Sequence, residues 1–93
     1  MYKLDFKGTV KDVEGNEFDI ASSLAIILQH SRVGDSIKFN SWAIKLVVDG
    51  RLTIDKADIG TLKSFIEETD TVINLMKANI LERIENKQEV KDV

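Results

Sequence analysis

The 93-residue chain has no cysteine and no proline, a single histidine, and only six aromatic residues. Without cysteine there can be no disulfide, thiolate nucleophile or Cys-ligated zinc or iron–sulfur centre, so stability has to come from packing. Without proline no slow prolyl isomerisation limits folding, and helices can run unbroken. The longest apolar run, Leu24 to Leu28, is five residues, against the ~20 needed to cross a bilayer. Lys3, Asp5, Lys7, Lys11 and Asp12 deny the first twenty residues the apolar stretch of a signal peptide. A soluble, cytoplasmic protein with no membrane partner is expected.

What is present is an ordinary globular composition, 43% hydrophobic and 31% charged, in a length that makes one domain. Such a chain buries roughly 60–65% of its unfolded surface, leaving no room for a large cofactor. The net charge of −3 is concentrated. Residues 55–70 hold Asp55, Asp58, Glu67, Glu68 and Asp70 against Lys56 and Lys63, while the rest balances at eleven of each sign. An acidic segment repels phosphate and no basic cluster answers it, so direct nucleic-acid binding is not expected.

Tyr2, Leu4 and Phe6 alternate with charged residues, the period of a half-buried strand. Val10 and Val13 precede Glu14-Gly15-Asn16, a turn after which Phe18 and Ile20 resume the alternation, so an N-terminal hairpin is expected. Asp19 or Ser22 can cap a first helix with Ile20, Leu24, Ile27 and Leu28 on one face. A second helix starts at Asp35 or Ser36 and stops at Gly50. Leu52–Ile54 is too short to stand alone and is expected to join the hairpin as a third strand. Asp55, with Asp58 three residues on, caps a third helix carrying Ile59, Leu62, Phe65 and Ile66. Thr69-Asp70-Thr71 can cap a fourth from Val72 to about Ile84. The expected fold is α+β: a hairpin plus a short third strand packed with four helices over residues 1–85, and a frayed tail over 86–93.

Two helices are more apolar than one core requires. On a wheel of 100° per residue, Phe39, Trp42, Ala43, Leu46 and Val47 form one stripe and Ile37, Ile44 and Val48 form another on the opposite side. Either this is a central helix covered twice, or one stripe meets a partner. In the last helix Val72, Ile73, Met76, Ile80, Leu81 and Ile84 span half the wheel, and Leu75 lies outside that arc. The candidate interface is therefore Ile37, Ile44 and Val48 with Leu75, Leu81 and Ile84, and a homodimer through the C-terminal helix is expected.

Chemical sites are sparse. His30, beside Ser31 at a helix end, has no second positioned base, and a solvated histidine favoured by the helix dipole explains it. Glu67, Glu68 and Asp70 read as a solvated helix end. Placing Gly50 at the sixth position of a calcium loop puts Lys45 first, Val47 third and Lys56 twelfth, where oxygen ligands are required. The glycines at 8, 15, 34, 50 and 60 match no phosphate-cradling spacing. No catalytic residue, metal or cofactor is expected.

The order of hairpin, helix pair and then Gly50-x-Leu52-x-Ile54-Asp55-x-x-Asp58-Ile59-x-x-Leu62-Lys63-x-Phe65-Ile66 resembles small uncharacterised proteins of phages and prophage-like elements, over residues 2–84. That resemblance implies a short accessory or assembly protein and carries no functional residues across. The expected function is non-enzymatic protein–protein contact. The alternative is a regulator of nucleic-acid metabolism that acts through a DNA-associated protein.

Overall fold

Three aspartates and one glycine punctuate the chain. In a computed structural model that describes residues 1–90, strands β1 (Tyr2–Asp5), β2 (Thr9–Lys11) and β3 (Glu17–Asp19) lead into α1 (Ile20–His30) and α2 (Ser36–Asp49). Then follow β4 (Arg51–Ile54), α3 (Lys56–Glu68), α4 (Asn74–Glu85) and β5 (Gln88–Glu89). The fold is α+β. Asp19, Asp35 and Asp55 each stand one residue before a helix and accept a backbone N–H three residues on, from Ser22, Lys38 and Asp58 at 2.8, 3.0 and 2.8 Å. Each satisfies one of the otherwise unpaired donors of a first turn. Gly50 ends α2 at φ 72°, its N–H donating to the Leu46 carbonyl, in the left-handed region that a Cβ disfavours.

The strands pair differently from the sequence expectation. β1 is the centre of a three-stranded antiparallel sheet in the order β4-β1-β5, with Leu4 opposite Leu52 and Lys3 opposite both Thr53 and Gln88. The hairpin is β2 with β3 alone, a separate two-stranded sheet. The third strand thus joins β1 and not the hairpin. The break lies at Gly8, at φ 120°, just beyond the point where Arg83 of α4 donates to the carbonyls of Asp5 and Lys7 at 3.2 and 2.8 Å. With those carbonyls occupied, the chain turns away from the sheet.

Two further expectations are corrected. The fourth helix begins at Asn74, and its N-cap is Ile73, which supplies no side-chain bond. The Thr69 and Thr71 hydroxyls bond each other at 3.1 Å, and Lys77 of α4 reaches back to the Thr69 carbonyl at 2.7 Å. The threonines are therefore engaged in the loop. Residues 86–90 of the expected frayed tail add β5 to the sheet, and Val90 N–H donates to the Met1 carbonyl at 2.9 Å. Residues 91–93 of that tail lie outside the described residues.

The core joins β1, β4 and all four helices through Leu4, Phe6, Leu24, Leu46, Leu52, Leu62, Ile66, Ile80 and Ile84, all essentially inaccessible to water. Each such side chain contributes about 1.5–3 kcal/mol on burial. Trp42 lies inside this core, stacked on Phe39 with ring centroids 5.4 Å apart, and Phe39 meets Phe65 of α3 at 5.0 Å. Asp5 and Arg51, opposite each other on β1 and β4, pair at 3.6 Å. The Lys7 backbone N–H on the Asp5 carboxylate, aided by Arg51 and Arg83, holds its pKa below the ordinary value.

Candidate interaction surface

α2 is anchored at three points along its length. Its N-terminus is tied to α3 by the Lys38 ammonium on Asp58 Oδ1 at 2.7 Å. That bond, with Asp35 and Asp55 nearby, raises the Lys38 pKa. Its middle is joined to α1 by Gln29 Nε2 donating to Asn40 Oδ1 at 3.3 Å. Its C-terminus feeds β4 through Gly50, whose carbonyl accepts Phe6 N–H at 2.9 Å. Phe39, Trp42, Ala43 and Leu46 point into the core.

The opposite side of the same helix is bare. Ile37, Ile44, Val47 and Val48 are 83, 52, 70 and 81% exposed. The expectation of a central helix covered on both sides is therefore overturned, because no element of the described residues lies over the second stripe. Val47 is also corrected: assigned to the core stripe, it faces solvent. It sits roughly 100° round the helix from Leu46, at the edge of the core arc, and that angle was the signal.

The C-terminal helix behaves in the reverse way. Ile84 is 1% exposed, inside the core and unavailable to a partner. Leu75 and Leu81 are half-buried, with Leu81 packed against the core. Of the six candidate interface residues, Ile37, Ile44 and Val48 are brought together on one open face, and the three on α4 are not. The wide arc of α4 is absorbed because α1, α3 and β1 all pack on it.

The exposed face of α2 has relief. A shallow hollow of about 490 Å³ is lined by Ser36, Ile37, Asn40, Ser41, Ile44 and Lys45. A second, of about 360 Å³, lies on the other side of Ser41 against Ile37, Lys38 and Trp42. Small Ser41 between large neighbours makes both.

A larger open cleft of about 670 Å³ lies at the far end of α1, between Ile26, Ile27, His30, Arg32, Val33, Phe65, Glu68 and Asp70. The His30 Nδ1–H donates to the Ile26 carbonyl at 3.0 Å, so Nε2 is the free nitrogen. Lys63 and Glu67 stand 4.0 Å apart on α3, and the Glu67 carbonyl accepts from Lys77. Among the described residues no three His, Asp or Glu side chains gather where they could hold a metal ion.

No helix among the described residues is long and apolar enough to cross a membrane. Compared with family models, curated proteins and solved structures, the chain matches none. The resemblance to phage and prophage proteins has no support beyond the residue pattern that suggested it.

Proposed function

We propose that the chain is a non-enzymatic interaction protein whose contact surface is the outer face of α2. The observation that carries this reading is the run of Ile37, Ile44, Val47 and Val48 along one side of a rigidly anchored helix, all more than half exposed. Isolated apolar residues on a surface are normal, whereas a contiguous stripe at helical spacing is a surface that another protein covers. A β-branched stripe suits this use, since Val and Ile lose little side-chain freedom on docking.

The His30 cleft supports a reaction less well. Its one imidazole is held by its own helix through Nδ1, and the cleft is open to solvent. A general base needs a positioned proton and a site that excludes water, and the cleft offers neither.

The test is photo-crosslinking in cells that express the protein, with a benzophenone side chain at Val48 and, as control, at exposed Glu82 of α4. Discrete protein adducts at position 48 and none at 82 are expected. Equal adduct formation at both positions, or none at 48, overturns the reading.

A further inference from the structure

We infer that the partner of the α2 face is a second copy of this chain, docked antiparallel about a two-fold axis midway between Ser41 and Ile44. The inference rests on the reading of α2 as the contact surface. Its ground is that the face carries both halves of one fit. Ile37, Asn40, Ser41 and Ile44 stand at i, i+3, i+4 and i+7, the four corners of a hole into which a side chain of a facing helix packs. They line the hollow of about 490 Å³ on the exposed side of α2. A hole of this kind takes an apolar knob, and the face carries one in Ile44, flanked by Val47 and Val48.

The register follows from the sequence numbers. A two-fold axis between Ser41 and Ile44 sets Ile44 of the second copy beside Ser41, the small corner of the hole, and by symmetry Ile44 of the first copy enters the hole of the second. The same operation sets Ile37 opposite Val48 at both ends, so the four largest exposed contacts are paired in one step. A parallel pair would instead put Ile44 on Ile44, leaving the hollows at Ser41 empty. Opposed helix dipoles favour the antiparallel choice as well.

The size of the contact is at the low end of what specific pairing uses. The four exposed side chains offer roughly 500 Å² of apolar surface, and two such faces bury roughly 1,000 Å², the lower end for a specific interface. An interface of this size is reversible, so the dimer fraction depends on concentration.

The chain's lack of cysteine allows the register to be read directly. Ile37→Cys and Val48→Cys are prepared as separate chains, mixed, and oxidised. A disulfide-linked dimer is expected only in the mixture, because identical positions lie eleven residues, roughly 16 Å, apart along the antiparallel pair. Cross-linking of each variant with itself but not in the mixture overturns the antiparallel arrangement. Sedimentation of the unmodified chain should show its mass rising from 10.5 kDa toward twice that value up to several hundred micromolar. Ile44→Lys should stay folded at the monomer mass. A constant 10.5 kDa for the unmodified chain overturns self-pairing. If the adduct at position 48 then proves to be a different protein, the α2 face remains the contact surface and only the second copy is wrong. No adduct of any kind overturns both.

Discussion

α2 and α4 carry similar surpluses of apolar side chains and dispose of them in opposite ways. α4 lies against α1, α3 and β1, and Met76, Ile80 and Ile84 disappear into the core while Leu75 and Leu81 are half covered. α2 packs on α1 and β4 and leaves an entire stripe, Ile37 to Val48, in water. A helical wheel sees two wide arcs and no difference between them. What separates the helices is where their neighbours lie: those of α4 surround its wide arc, whereas those of α2 all meet its Phe39–Leu46 side and leave the opposite one open.

The sharpest way to break this comparison is to put the same charge on both helices. Ile84→Lys buries an ammonium with no partner, and the several kcal/mol this costs exceeds what a domain of this size can lose; circular dichroism should show little folded protein at 25 °C. A well-folded Ile84→Lys would mean that α4 is not packed as described. On the inward side of α2, Trp42→Ala should cost about 3–5 kcal/mol. Native Trp emission should be blue-shifted and the variant's urea midpoint far lower. Red-shifted emission from the native protein would place the indole in water.

Gly50→Ala probes the joint on which the orientation of α2 depends. A methyl at φ 72° is strained, and its carbon would lie 2.7 Å from Cγ of Lys7, whose side chain must swing aside. A loss of about 1–2 kcal/mol is expected, read from the thermal midpoint. Asp19→Ala, at the start of α1, should cost about 0.5–2 kcal/mol. The Asp19 pKa is lowered by the Ser22 backbone N–H it accepts. A depressed carboxylate contributes stability above its unfolded pKa and loses it as pH falls through its folded one. The gap between native and Asp19→Ala should therefore be constant from pH 5 to 8 and close below about pH 4. A gap that persists at pH 2 would sink the cap assignment.

The smallest effect is the most telling. Val48→Lys on the bare stripe should change the stability of the isolated chain by no more than about 0.5 kcal/mol in urea. A loss comparable to that of Ile84→Lys would show that the stripe is covered within the chain, and the contrast between the two helices would vanish.

Local features were legible because local chemistry made them. Asp35 and Asp55 announce helix starts by bonding an N–H three residues on, and Gly50 announces a stop by a conformation that other residues avoid. The start of α4 was not legible, because Ile73 caps it with no side-chain bond and the threonines that could have done so bond each other. β5 was hidden for a different reason: Gln88 and Glu89 have no apolar alternation, and only the free edge of β1 makes them a strand. The partner of β4 was misjudged because pairing across fifty residues leaves no mark on either strand. For the candidate surface, residue type and spacing picked out Ile37, Ile44 and Val48. Their exposure, and the burial of Ile84, depended on elements far along the chain.

The position of β1 also orders events in time. Of the three strands of its sheet, the earliest made is the middle one, bonded on one side to Arg51–Ile54 and on the other to Gln88–Glu89. During synthesis it waits with both edges open through α1 and α2, then with one edge open until α4 has been made. α1 and α2, contiguous in sequence and packed on each other, can pair long before the sheet exists. The second edge of β1 can close only once α4 has been made, and until then β1 offers the nascent chain an open edge for unwanted strand pairing.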